Sequence, residues 1–117
     1  MQNKQELLLS KLNNTSSLQE IQNYIQNVIH MRGFGDQSIE QTMLLLTEEI
    51  GELAKAIRKD ATSMSSDKAK IYNYDTVESE LADVFIVLLS VSNTLNIDLF
   101  HALREKEKIN INRKWTK

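Results

Sequence analysis

No proline interrupts this chain, and its only glycines are Gly33, Gly35 and Gly51. Domains rich in β-structure turn every few residues and spend proline and glycine doing so; a chain without that punctuation folds into a few long helices joined by polar breaks. The expected fold class is all-α and four-helix-bundle-like. Ser17 and Glu20 form a capping box, after which Leu18, Ile21, Ile25, Val28 and Ile29 repeat at helical spacing up to Gly33. Past the turn Arg32-Gly33-Phe34-Gly35-Asp36, Ser38 and Gln41 cap a second helix, Ile39 to about Lys59, with Ile39, Met43, Leu46, Ile50, Leu53 and Ile57 as its core stripe. Asp75 with Glu78 opens a third helix, apolar almost all round from Leu81 to Leu95. Its apolar arc centres on Val77, Val84, Leu88 and Leu95. Leu99 to about Asn112 form a fourth helix that turns basic. Gln5 to Leu12 can add a short helix within a peripheral segment, residues 1–15. Residues 60–75, rich in Ser, Asp and Lys, read as a flexible flap. At 117 residues a single domain over 1–117 with one core is expected.

Two acidic clusters sit inside these helical segments: Glu48, Glu49 and Glu52, then Glu80 and Asp83. Residues three or four apart share a helix face, so Glu49 pairs with Glu52 and Glu80 with Asp83. Glu80 falls inside the apolar arc of its helix, Asp83 at its edge, and Glu49 and Glu52 on the shoulder of the second helix's stripe. Glu48 points further toward solvent. One loop joins the two helices, which makes them antiparallel neighbours and brings Glu52 toward Glu80. Burying several like charges together is costly unless a cation neutralises them. The chain has no cysteine and two histidines, so oxygen ligands are what it offers; they suit magnesium, with manganese as a substitute, and magnesium commonly bridges carboxylates to substrate phosphates. A solvated acidic face accounts for Glu48 as readily as a site does, but not for the whole set. A di-iron bundle would need Glu-x-x-His pairs, and neither His30 nor His101 follows any of these acids at that spacing.

Lys106, Asn110 and Arg113 recur at i, i+4 and i+7, which places them on one stripe of the fourth helix as candidate phosphate contacts. Basic residues near a helix C-terminus also complement its dipole, and Arg104 and Lys108 do so with no ligand required. The stripe gains weight only beside the acids.

Taken in order, Glu-Glu-x-x-Glu-Leu, Glu-Leu-Ala-Asp-Val and Lys-x-x-x-Asn-x-x-Arg-Lys-Trp resemble the MazG-type nucleoside triphosphate pyrophosphohydrolases of the all-α group, from about Leu18 to Trp115. The Arg-Gly-Phe turn resembles that family's Arg-Gly-aromatic segment, with Phe34 read as a packing residue. The resemblance implies that Glu49, Glu52, Glu80 and Asp83 hold magnesium and that Lys106, Asn110 and Arg113 touch a triphosphate. Glu48 is the candidate to orient or deprotonate a water. Arg58-Lys59-Asp60 stand where family members often carry a base-enclosing aromatic, so base recognition does not transfer; Tyr72 or Tyr74 could substitute, though packing accounts for either more readily.

The expected activity is hydrolysis of a nucleoside triphosphate between the α and β phosphates, giving a monophosphate and pyrophosphate. The rivals are a narrower pyrophosphatase for dCTP, dUTP or phosphoribosyl-ATP, a non-catalytic Mg-nucleotide-binding regulatory or dimerisation module, and a purely structural bundle. A net charge of −2 argues against binding nucleic acid through phosphate neutralisation. No apolar run approaches the roughly 20 residues that span a bilayer, and Leu7-Leu8-Leu9 is too short for a signal peptide, so the expected location is cytoplasmic with no membrane partner. The all-round apolar third helix favours a homodimer or homotetramer.

Overall fold

The computed structural model describes residues 3–60 and 76–116, all helix and connecting turns with no strand among them. Five helices follow in order: α1 (Lys4–Ser10), α2 (Leu18–Met31), α3 (Ile39–Asp60), α4 (Val77–Thr94) and α5 (Leu99–Ile111). Five replace the four secure ones expected, because Asn3 and Glu6 close a capping box that starts α1. Among the described residues no single helix is long and apolar enough to cross a membrane.

The caps obey local chemistry. Ser17 accepts from the Glu20 amide at the start of α2, and the Ser38 hydroxyl accepts from the Gln41 amide at 3.1 Å while Gln41 accepts from the Ser38 amide at 2.9 Å. At α4 the Thr76 hydroxyl accepts from the Ser79 amide at 3.2 Å; the expected cap at Asp75 lies outside the described residues. Gly33, at φ 87°, closes α2 with paired bonds from Gly33 N–H to the His30 carbonyl and Phe34 N–H to the Ile29 carbonyl. Asn96, at φ 55°, closes α4 the same way, with its N–H on the Asn93 carbonyl and that of Ile97 on Ser92.

The chain divides into two compact units. Residues 1–36 and 92–117 make the first, where α2 packs on α1 and α5 around Ile25 and the fully buried Val28. Gln22 ties α2 to the turn between α4 and α5. Its Nε2 donates to Asn93 Oδ1 (3.1 Å) and the Ile97 carbonyl (2.9 Å), and its Oε1 accepts from the Leu99 amide (2.9 Å). Asn93 returns a bond to the Gln22 carbonyl.

Residues 37–91 make the second unit, with α3 and most of α4. The covered face of α3 runs through Thr42, Leu45, Leu46, Glu49, Leu53 and Ala56, whereas Met43, Ile50 and Ile57, expected in the core stripe, are exposed. Glu49 therefore lies near the middle of the covered face instead of on its shoulder. On α4, Glu80, Val87 and Leu89 are buried, and Leu81, Phe85 and Leu88 are exposed; Leu95, expected in the same arc, is exposed just past the end of the helix. Apolar residues on every side of α4 leave the position of its covered arc undetermined by periodicity, which is why the expected arc was displaced.

Candidate metal centre

Within the second unit, Glu49 of α3 and Glu80 and Asp83 of α4 each present a carboxylate oxygen, and all three oxygens lie within 4.8 Å of one another. Local sequence explains the placement. Glu80 and Asp83 are three apart and share a face of α4, and Glu49 stands on the covered face of α3. Glu80 is only 5% exposed; Glu49 and Asp83 are half-buried.

Three carboxylates this close repel one another, and partial burial weakens the water screening that would separate them. Around one octahedral ion with bonds of about 2.1 Å, ligand oxygens stand roughly 3 to 4 Å apart, a spacing within reach of these three. An all-oxygen donor set selects hard cations. The residues fit a divalent ion held by carboxylates from two helices.

Glu52, expected to meet Glu80, is exposed one turn beyond Glu49 and does not join this group of three. Glu48 is exposed, as its helical direction required. His30 and His101 are exposed and stand in no metal-binding group among the described residues. Phe34, read as a packing residue, is 51% exposed. Asp60, the first residue of the expected flap, is the last of α3, and the rest of it, residues 61–75 with Tyr72 and Tyr74, lies outside the described residues.

The three phosphate-contact candidates belong to the first unit. Lys106 is exposed on α5, and Asn110, near its end, donates to Glu107 at 2.6 Å. Arg113 does not share their helical stripe. α5 ends at Ile111 with Asn112 as its C-cap, so Arg113 lies beyond the helix, with its guanidinium carbon 4.6 Å from the ring centroid of Trp115. The spacing i, i+7 assumed that the helix continued, and no glycine or proline marks its end.

The first unit also holds a cleft of about 240 Å³ lined largely by amide side chains, among them Gln19, Asn23, Gln26 and Asn96. None of these was a sequence candidate. They carry no charge pattern or motif spacing that would have singled them out.

The MazG nucleotide pyrophosphohydrolase domain family matches residues 37–115. The span begins later than the resemblance first drawn from about Leu18, and it takes in both acidic clusters and the Lys-Asn-Arg motif. No curated protein matches the chain.

Proposed function

The chain belongs to the MazG nucleotide pyrophosphohydrolase family, and on that premise we propose that it hydrolyses a nucleoside triphosphate at the α–β linkage in a magnesium-dependent reaction. The observation that carries this reading is the meeting of Glu49, Glu80 and Asp83 from two helices. These three would hold the cation, with Glu52 as a fourth carboxylate one turn along α3. When bound, the ion would supply Lewis-acid neutralisation of phosphate charge.

Water adds to the α phosphorus, the bond to the bridging oxygen breaks, and nucleoside monophosphate and pyrophosphate leave. Glu48, exposed and next in sequence to a ligand, is assigned to orient that water and accept its proton. Lys106, Asn110 and Arg113 are assigned to phosphate oxygens on residue type, and Lys106 and Arg113 are exposed. The working form is proposed to be a homodimer. Leu81, Phe85 and Leu88 on α4 follow the alternating four-and-three spacing of a helix-packing seam, and Met43, Ile50 and Ile57 on α3 repeat every seven; all six are exposed in the single chain.

The test is pyrophosphate release from a panel of canonical and modified nucleoside triphosphates, with magnesium and with chelator. Magnesium-dependent release, lost in Glu80→Ala and Asp83→Ala proteins that keep their helical circular dichroism, is the expected result. Nucleotide binding without release would point instead to a regulatory module, and unchanged release in the two variants would reject the ligand assignment.

A further inference from the structure

Arg113 stands where an arginine should be least constrained. The helix has ended, the side chain is exposed, and only three residues lie between it and the end of the described chain. Yet its guanidinium carbon lies 4.6 Å from the centroid of the Trp115 ring, within the range of a cation–π contact. Trp115 is itself pinned, because its indole N–H donates to the Asn110 carbonyl at 3.2 Å. The same carbonyl accepts from the Arg113 amide at 3.2 Å, and the cap residue Asn112 donates its amide to the Ile109 carbonyl at 3.2 Å. Asn112 Nδ2 donates to the Lys108 carbonyl at 3.1 Å. The last carbonyls of α5 thus become anchors that fold the tail back, and the helix's negative end adds to the attraction for the guanidinium.

Trp115 is 65% exposed. An indole this open contributes little as core, and it meets an arginine and the carbonyl of a phosphate-contact candidate. A guanidinium stacked by its face keeps its edge N–H donors for a planar or tetrahedral oxyanion. We propose that Trp115 is a positioning residue: it holds Arg113, beyond the end of α5, in a fixed place from which the guanidinium engages a substrate phosphate. This rests on the assignment of Arg113 to phosphate, and it explains how a residue off the helix can act with Lys106 and Asn110 on it.

A double-mutant cycle tests it, with magnesium tripolyphosphate as the probe and calorimetric affinity as the readout on the full chain. W115A should weaken binding by about two- to fivefold, the size of an exposed cation–π contact. W115F, which keeps an aromatic face, should recover most of that loss. In an R113A background W115A should add nothing, since its target is gone. An equal effect of W115A with and without Arg113 overturns the proposal, as does full affinity in W115A when R113A binds weakly. R113A binding like wild type would overturn the phosphate assignment itself and the proposal with it. Independently of any phosphate, the Arg113 side-chain N–H proton should be ring-current shifted in wild type and return toward the random-coil position in W115A; an unshifted wild-type resonance overturns the stacked geometry.

Discussion

Asp83 shares its site with Glu49 and Glu80, and like charges brought this close repel one another. Asp83→Asn removes one charge at nearly constant volume. In chelator this variant should be as stable as wild type or more so, by up to about 1 kcal/mol in urea unfolding. With magnesium the order should reverse, because a ligand that binds only the folded chain raises its stability and the variant binds it less well. Parallel stability curves in both conditions would deny an ion at this place. Two glycines make opposite predictions. Gly33 holds φ 87°, so Gly33→Ala should cost about 1 kcal/mol despite open space around it. Gly51 lies inside α3 at ordinary φ with nothing within 4 Å of an added Cβ, so Gly51→Ala should gain roughly 0.5–1 kcal/mol. Lys59 titrates below the ordinary lysine value of 10.5, first through burial and then through the charges of Lys55 and Arg58, with Glu52 and Asp60 pulling the other way. Between its folded-state value and 10.5 the unfolded chain binds more protons, so stability rises with pH in that window. Denaturation followed as the pH climbs toward 10.5 should show a shallower rise in Lys59→Met.

At the scale of elements, what could be read in the sequence was what neighbours in sequence decide. Ser17 with Glu20 and Ser38 with Gln41 close their caps within one turn, so no distant contact can overrule them. Glu80 was legible because a buried carboxylate in an apolar helix has few explanations. The covered faces of α3 and α4 were not, since Met43 and Leu46, or Val87 and Leu88, are equally apolar and only packing chooses between them. The choice moved Glu49 toward the middle of its face and left Glu52 in solvent, which is how a set of four became a group of three. Nor does spacing reveal Gln22, a polar residue among apolar ones whose three side-chain bonds join α2 to the turn that launches α5. Gln22→Leu keeps the volume but strands the Leu99 amide and the Ile97 carbonyl. Unfolding free energy should drop by about 2–3 kcal/mol, with loss of exchange protection beginning at this turn; a near-neutral change would mean that water replaces the amide.

For the molecule as a whole, the exposed apolar residues of α3 and α4 pose a question of solvent. Leu81, Phe85 and Leu88 are each about two-fifths to one-half exposed, and Ile50 on α3 is 50% exposed. Scattered singly such residues would need no account, but two helices carrying them at seam spacing form the kind of surface that a second copy covers. A specific interface buries about 1,200–2,000 Å² in total, and its energy concentrates in a few central aromatic anchors. Phe85 is the one aromatic side chain on that α4 seam. Phe85→Lys should therefore weaken self-association by at least about 2 kcal/mol, some thirtyfold. Light scattering behind a sizing column should find wild type dimeric at micromolar concentration and the variant shifted toward monomer, with a melting temperature that no longer climbs with protein concentration. A Phe85→Lys chain that stays dimeric would remove α4 from the interface. Should the monomeric variant keep full turnover, each chain's acids suffice alone; lost turnover restored at high protein concentration would make assembly part of the catalyst.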